Sequence, residues 1–311
     1  MITDLNEFIK ISRNKKIRTI VMGAKTRYLL MAAKEAYDKK IIEPVLVGSK
    51  KQIERIAGEI NFDLKKIDIY NEINEEKIIK KSLKLISEDL NAILVKGDIS
   101  FELILKGILD KKNGLLEKGN LLSHIGIGIL GKNKKKIIGI TDGGIVLSPT
   151  LEKKVKIINN AVNFFRQTFD FKEPKVGILS AVEVLNPNMP PTLDAALLTQ
   201  MNKRGQIKNC IIDGPLSLDC LVDKSAIKHK QIKSEINGEA DIILVPNVTV
   251  GNLLNKAIVY LTDYNKIYIN LVLGAKMPIV MSSRTDNYET LFLSIACVAS
   301  NFKKRSFLKH G

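Results

Sequence analysis

Short apolar runs alternate with amphipathic segments over the first third of the chain. Residues 17–22 are apolar and β-branched, residues 28–37 place apolar side chains at helical spacing, and residues 42–47 are apolar again. This change of period predicts a strand, a helix and a second strand. The alternation continues, with helices predicted over 52–60, 75–87 and 101–109 and strands over 66–70 and 92–96. Strands separated by helices favour parallel pairing with right-handed crossovers.

The pattern changes after Gly119 and then resumes. Two apolar runs joined by a turn at Gly131 predict adjacent strands, over 121–130 and 135–141. Ser148 and Pro149 are typical of a helix start, and the helix is expected to continue to about residue 169. Further strands are predicted over 175–184, 209–213, 240–245, 267–273 and 278–281, and helices over 192–204, 251–261 and 288–302. The whole pattern indicates an α/β protein, with junctions near 141–150 and 262–275.

Several loops share one plan, in which an apolar strand is followed by small, rigid or polar residues and then by a helix. The carboxyl ends of parallel strands meet at one edge of a sheet, so we expect such loops to lie along that edge, where α/β proteins bind ligands. For any single loop an ordinary turn is the better explanation, because Gly, Pro and Asn are turn residues. Five such loops together favour a ligand-binding cleft. The five loops are Thr141-Asp-Gly-Gly144, residues 181–187, Asp213-Gly-Pro215, Val245-Pro-Asn247 with Gly251-Asn252, and Ser282-Ser-Arg284.

The last of these loops carries the clearest chemical signal. The apolar run that ends at Met281 is followed by Ser283 and Arg284, and a helical pattern begins directly afterwards. A helix start favours anions, and a guanidinium suits phosphate or carboxylate. Asp286 and Glu289 have the spacing of a helix-capping box, and either could instead accept a proton from a thiol. This stretch therefore predicts a phosphate-handling site.

Other chemistry finds no support in the sequence. Neither a dinucleotide-binding nor a P-loop glycine spacing occurs, and the three histidines are scattered. Three cysteines cannot make a paired framework, and their spacing matches no zinc pattern, so we expect a reducing, cytoplasmic compartment and no bound metal. The start of the chain lacks a basic region followed by an apolar core, and no apolar run reaches membrane length. We therefore expect neither a signal peptide nor a membrane span.

The formal net charge of +16 raises the question of nucleic-acid binding. Only eight of the 49 basic residues are arginines, and lysines are spread along the whole chain together with abundant Ile and Asn. This distribution indicates a compositional bias rather than a binding patch, and argues against nucleic acid as a partner. A basic protein still attracts small anionic substrates.

The loops also match a known family. The chain resembles the phosphate acetyltransferase and phosphate butyryltransferase family, and is most similar to the butyryl branch. The likeness is dense from residue 140 to 300. The matching segments are Ile140-Thr-Asp-Gly-Gly144, Glu183-Val-Leu-Asn-Pro-Asn-Met-Pro190, Asp213-Gly-Pro-Leu-Ser-Leu-Asp219, Val245-Pro-Asn247, Gly251-Asn252 and Gly274-Ala-Lys-Met-Pro-Ile-Val-Met-Ser-Ser-Arg284.

The resemblance implies a fold and a domain division. It implies two α/β/α domains with an interdomain cleft, as in the isocitrate/isopropylmalate dehydrogenases. The first domain would be discontinuous, comprising residues 1–141 plus 270–311, and the second would comprise residues 142–269.

The resemblance also implies an activity. Members interconvert a short-chain acyl-CoA plus inorganic phosphate with an acyl phosphate plus CoA, so CoA is a substrate or product and no cofactor is tightly bound. A homodimer or larger homo-oligomer is implied, together with a functional pairing to an acyl-phosphate kinase.

Residue roles follow from the same resemblance. Ser283 would contact the reacting thiol or the oxyanion, and Arg284 would bind phosphate. The acetyl branch has an aspartate where this chain has Thr290, so Glu289 or Asp286 is left as the proton acceptor. The substrate-binding candidates are Asp142, Gly143, Gly144, Asn186, Asp213, Gly214, Pro246, Asn247, Gly251 and Asn252.

Two functional alternatives stay open at the level of sequence. The favoured activity uses butyryl-CoA, but the apolar residues that set chain length cannot be picked out from the sequence, so acetyl-CoA is an alternative. An inactive scaffold of the same family that binds nucleic acid or another polyanion through its basic surface is the second.

Overall fold

The computed structural model describes residues 6–130, 136–261, 268–281 and 287–302. These residues cluster into two compact units. The first unit holds the described residues up to Asn120 and those from Asn270 onward, and the second holds those from Leu121 to Ile269. The sequence-based boundary at 141/142 falls inside the second unit, because the two strands before it pair within that unit.

Strands and helices alternate along the described chain. The strands are β1 (Ile17–Met22), β2 (Ile42–Gly48), β3 (Asp68–Asn71), β4 (Ile93–Lys96), β5 (Ser123–Leu130), β6 (Lys136–Thr141), β7 (Lys175–Leu179), β8 (Ile211–Leu216), β9 (Ile242–Leu244), β10 (Ile269–Leu273) and β11 (Ile279–Met281). The helices are α1 (Glu7–Ser12), α2 (Arg27–Asp38), α3 (Lys50–Glu59), α4 (Glu75–Glu88), α5 (Phe101–Leu109), α6 (Leu151–Phe169), α7 (Pro190–Lys203), α8 (Leu218–Val222), α9 (Lys224–His229), α10 (Val248–Leu261) and α11 (Tyr288–Ser300).

The first unit is built on strands in the order β3-β2-β1-β4-β11-β10. Each neighbouring pair from β3 to β11 is parallel, and β10 runs antiparallel to β11. Strands covered on both faces carry continuous apolar runs rather than alternating ones, and β1 and β4 are buried along almost their whole length for this reason. Helix α4 buries the side chains of one face, including Ile79 and Leu83. Its first turn is capped by Asn74, whose Oδ1 accepts a hydrogen bond from the Lys77 amide.

The second unit repeats this plan with strands in the order β5-β6-β9-β7-β8. β5 and β6 form an antiparallel pair, and the pairs β6–β9, β9–β7 and β7–β8 are parallel. One of its buried clusters is almost wholly aliphatic and includes residues of the sheet. The buried cluster comprises Ile138, Ile140, Leu179, Leu216, Cys220, Leu221, Ile227, Ile236, Ala240, Ile243 and Val245.

Most predicted elements are confirmed, and the main differences are two strand ends, three short helices and one helix cap. The strand predicted over 175–184 ends at Leu179, and the strand predicted to end at residue 213 continues to Leu216. The short helices α1, α8 and α9 were not predicted. The cap of α6 is Thr150, whose side chain accepts from the Lys153 amide, rather than Ser148.

The predicted α/β class is confirmed by this mixed arrangement of parallel and antiparallel strands. Among the helices of the described residues, none is both long enough and apolar enough to cross a bilayer.

Candidate functional site

The four strands β6, β9, β7 and β8 of the second unit run in the same direction, so their carboxyl ends lie at one edge of the sheet. The predicted loops that follow β6, β9 and β7 therefore share this edge, as expected from parallel pairing. We call it the carboxyl edge of the second unit.

The loop after β6 is organised by Asp142. Its side chain is almost fully buried, and its Oδ1 accepts from the amides of Gly144 at 2.8 Å and Ile145 at 2.9 Å. Its Oδ2 accepts from the amide of Val146 at 3.2 Å. A carboxylate that receives three backbone N–H groups fixes the path of its loop. These oxygens are therefore committed to the fold.

Glycines bring this loop against helix α10. A Cβ at Gly251 would lie 2.7 Å from the Asp142 carbonyl oxygen and 2.7 Å from the Gly143 Cα, and a Cβ at Gly143 would lie 2.3 Å from the Asn255 side chain. Asn252 donates from Nδ2 to the Gly143 carbonyl at 3.4 Å. Gly143, Gly251 and Asn252 are thus brought together, and glycine is needed for the approach of the two backbones.

The loop after β9 starts helix α10. Pro246 precedes Asn247, whose Oδ1 accepts from the Val250 amide at 3.0 Å and so caps the helix. Further along the helix, Asn255 Oδ1 accepts from the buried Tyr268 hydroxyl at 2.6 Å, and burial raises the pKa of Tyr268. The polar groups of this loop also serve the fold.

Asn186 lies in the loop after β7. Its side-chain oxygen accepts from the Asn188 amide at 2.9 Å, and its backbone N–H and carbonyl bond the Thr192 hydroxyl at 3.0 and 3.1 Å. Asn186 thereby shapes the entry to helix α7.

The expected loop at Asp213 and Gly214 is wrong, because both residues lie within strand β8. Asp213 Oδ2 accepts from the Glu235 amide at 3.1 Å, which ties a distant surface loop to the strand. A Cβ at Gly214 would meet the Ile178 Cβ at 2.7 Å. The loop that follows β8 begins at Ser217 instead.

An ionic cluster at the ends of β7 and β8 was missed by the sequence prediction. Lys230 Nζ lies 2.9 Å from Glu183 Oε1 and 2.9 Å from Asp219 Oδ2. Ser217 Oγ lies within hydrogen-bond distance of both carboxylates and shares its one hydrogen between them. Cys220 Sγ lies 3.5 Å from Glu183 Oε1. Glu183 lay in the predicted loop 181–187 and in a family-matching segment, but the sequence assigned it no role and gave no sign of its partners.

The charges of this cluster stabilise one another. Burial alone would raise the pKa of Glu183, but hydrogen bonds from Ser217, Lys230 and Cys220 outweigh burial and lower it. Hydrogen bonds from Ser217 and Lys230 lower the pKa of Asp219 to about 2. The two carboxylates in turn raise the pKa of Lys230. All three groups are therefore ionised at neutral pH.

Metal-ligating atoms also meet in this cluster. One ligand atom each from Glu183, Asp219 and Cys220 lies within 4.8 Å of the others. The Lys230 ammonium already bonds both carboxylates, so the chain supplies its own cation at this position.

The candidates Ser283, Arg284 and Asp286 lie outside the described residues. Glu289 is exposed in the first turn of α11. The negative charge of Glu289 raises the pKa of the neighbouring Tyr288, and burial and the charge of Glu35 add to this effect. The helix is capped by Asn287, whose Oδ1 accepts from the Thr290 amide at 2.7 Å. Asn287 therefore holds the N-cap position, and the part of the capping-box interpretation that concerns Asp286 lies outside the described residues.

Comparison with known sequences gives a consistent result. A profile of the family described as "Phosphate acetyl/butaryl transferase" matches residues 105–299. A phosphate butyryltransferase of Clostridium acetobutylicum is 35% identical over 96% of this chain and 98% of its own length. A phosphate acetyltransferase of Thermotoga maritima is 35% identical over 95% of this chain and 98% of its own.

Solved structures agree with the sequence matches. A branched-chain phosphotransacylase from Enterococcus faecalis V583 superposes with a TM-score of 0.80 and 25% identity, covering 93% of this chain and 100% of that chain. A 4-hydroxythreonine-4-phosphate dehydrogenase from Klebsiella pneumoniae shares the fold alone, with a TM-score of 0.54, 11% identity and coverage of 93% and 99%. The predicted dehydrogenase-like fold class is confirmed.

Proposed function

The chain belongs to the phosphate acetyl/butyryl transferase family, and we propose that it interconverts a short-chain acyl-CoA, with butyryl-CoA favoured, and the corresponding acyl phosphate. The observation that carries this proposal is the 35% identity to a phosphate butyryltransferase over 96% of the chain. Equal identity to a phosphate acetyltransferase makes acetyl-CoA the alternative substrate. Phosphate acyltransfer is common to both.

The reaction sets three tasks for the protein. A phosphate oxygen attacks the thioester carbonyl, a tetrahedral oxyanion forms, and the C–S bond breaks to release the CoA thiolate, which takes up a proton. The protein must hold two anions close together, stabilise the oxyanion and move one proton. Since no electrons are transferred, the reaction needs no redox cofactor. CoA enters as substrate or leaves as product.

Residues of the segment after β11 supply the chemistry in this proposal. Arg284 binds the attacking phosphate through its planar guanidinium, which fits two phosphate oxygens at once. Ser283 donates a hydrogen bond to the oxyanion or the thiol sulfur. In the direction of acyl phosphate synthesis Glu289 or Asp286 delivers the proton to the departing thiolate, and in reverse it accepts that proton.

The loops of the second unit position the substrate. The hydrogen bonds of Asp142 and Asn247, and the contact of Gly143 with Gly251, support this role by holding the loops in one shape. Preorganised loops cut the entropy lost when a substrate is bound. We assign Asp142, Asn186, Asp213 and Asn247 to shaping this edge. Gly144, Gly214, Pro246 and Asn252 complete the same set.

The wider setting follows from the reaction chemistry. An acyl phosphate is an activated donor, and its consumption by a kinase that phosphorylates ADP completes the sequence. We also propose a cytoplasmic homo-oligomer, for which the family resemblance is the support.

The test is phosphate-dependent release of CoA from acetyl-, propionyl- and butyryl-CoA, followed with a thiol reagent. Acyl phosphate should be trapped in equal amount as the hydroxamate. Highest kcat/KM with butyryl-CoA is the expected result. Release of CoA that does not depend on phosphate, or no release with any of the three, would reject the proposal, and a preference for acetyl-CoA would select the alternative.

A further inference from the structure

Large apolar side chains are exposed at the carboxyl edge of the second unit. Each of the four parallel strands that form this edge is followed by at least one such side chain, either in the loop or in the helix that the loop enters. They are Leu147 after β6 (72% exposed), Leu253 after β9 (68%), Val184 and Leu185 after β7 (67% and 60%) and Leu218 after β8 (41%). We call these five residues the apolar rim.

Several side-chain oxygens of the same loops are already used by loop amides. Both Asp142 carboxylate oxygens accept loop amides, and the side-chain oxygens of Asn186 and Asn247 accept amides of their own loops. Exposed apolar surface costs free energy in water, at about 25 cal/mol per Å². The rim is therefore the part of this edge that gains most from contact with an apolar group.

Backbone and side-chain contacts tie the rim residues into two groups. The Val248 amide, which begins α10, donates to the Leu147 carbonyl at 3.1 Å, so Leu147 is fixed beside the helix that carries Leu253. The hydrogen bond between Ser217 and Glu183 joins the loop of Val184 and Leu185 to the loop of Leu218. Strands β9 and β7 are neighbours, so the two groups lie side by side.

Charge decides which part of an acyl-CoA suits this edge. The cluster beside Val184 and Leu218 holds two carboxylates, Glu183 and Asp219, against one ammonium, Lys230. A net negative cluster disfavours the phosphates of CoA, since like charges repel. The neutral end of the substrate, which carries the acyl chain, meets no such penalty.

We infer that the apolar rim binds the acyl chain of the substrate and sets the preferred chain length. The inference rests on the proposed function and adds the residues that select among acyl groups. Each methylene of a longer chain gains contact with rim side chains, whereas an acetyl group reaches fewer of them. Leu147, Leu185 and Leu218 are thus specificity-determining residues.

The experiment compares single variants from each group with a matched control. Leu185→Ala, Leu218→Ala and Leu147→Ala each remove one exposed apolar side chain. The control Ile73→Ala removes a side chain that is 80% exposed and follows β3 of the first unit. kcat/KM is measured for acetyl-, propionyl- and butyryl-CoA at saturating phosphate, and sedimentation velocity reports the oligomeric state.

The butyryl-to-acetyl ratio of kcat/KM should fall by about tenfold in at least one variant of each group, the lower end of what one methylene contributes in an apolar pocket. It should not change in Ile73→Ala. An unchanged ratio, or an equal fall for every chain length, would overturn the inference. Loss of oligomer without a change of ratio would also overturn it and assign the rim to contact between copies of the chain. If wild-type protein releases no CoA, the proposed function itself fails, which is a distinct result.

Discussion

The two units present different surfaces at the carboxyl ends of their parallel strands. In the first unit the turns after β1 and β4 close on each other: the Gly97 amide donates to the Met22 carbonyl at 2.8 Å, and a Cβ at Gly97 would lie 2.4 Å from that oxygen. In the second unit the loops end in the exposed apolar rim. A shared sheet plan therefore does not give the two carboxyl edges the same surface, because the loops that follow the strands differ.

Substitution of the segment after β11 should have the largest effect on activity. Ser283→Ala removes one donor to the oxyanion and should raise the barrier by about 3–4 kcal/mol. Arg284→Ala should remove most activity, and Arg284→Lys should restore only part of it because an ammonium lacks the planar fork. Steady-state kinetics check this, with circular dichroism to confirm an intact fold. Full activity of Arg284→Ala would show that the reaction does not depend on Arg284, and would direct the search for the reacting groups to the second unit.

Loss of the Asp142 carboxylate should have the next largest effect. Asp142→Ala leaves three loop amides without their acceptor and should reduce the free energy of unfolding by about 2–3 kcal/mol. Asp142→Asn, which keeps one carbonyl oxygen, should lose less. Urea denaturation measures both. Equal stability of Asp142→Ala and wild type would show that the loop after β6 does not depend on this carboxylate.

Alanine substitutions at three glycines measure how tightly the backbone is packed at each of the two edges. Gly97→Ala and Gly251→Ala place a Cβ against backbone atoms in the first and second unit respectively, and each should cost about 1–3 kcal/mol of stability. Gly58→Ala, in helix α3 with open space around the new methyl, should instead add about 0.4–1 kcal/mol. Thermal unfolding of the three variants tests this predicted order of stabilities. A Gly251→Ala variant as stable as wild type would contradict it.

The ionic cluster should have the smallest effect, with a defined dependence on pH. The Asp219 pKa falls from 3.8 to about 2 in the folded protein, so its stabilisation is present above pH 3.8 and is lost as the pH falls towards 2. Because Asp219 is largely exposed, Asp219→Asn should cost only about 0.5–1 kcal/mol at pH 7. The difference between wild type and variant should shrink as the pH falls from 3.8, the pKa of an unperturbed Asp, through about 2, the pKa of Asp219 in the folded protein. A difference that grows in acid would contradict the hydrogen bonds assigned to Asp219.

The sequence was sufficient to predict most of the fold because periodicity is a local property. Strand β1 and helix α5 were predicted at their observed bounds. The errors arise where tertiary context decides. Val184 and Leu185 are apolar enough for a strand but are exposed in a loop. Pro215 was taken to end a strand, yet β8 is the outermost strand of its sheet, and an edge position tolerates a residue without an N–H.

The site was predicted less completely than the fold. The pattern showed which polar residues lie in the loops, so Asp142, Asn186 and Asn247 were identified as candidates. It could not show that their oxygens are used by neighbouring amides, because those bonds depend on loop geometry. It also gave no reason to single out Lys230, which lies 47 residues from Glu183 in the chain.

Hydrogen–deuterium exchange tests the contrast between the two edges most directly. The protein is compared in the presence of saturating butyryl-CoA and of saturating acetyl-CoA, without phosphate so that no turnover occurs. We predict that butyryl-CoA gives additional protection in peptides covering residues 143–148, 181–187 and 217–220. Equal protection of these peptides by both ligands, with the difference confined to residues 6–120, would contradict the account.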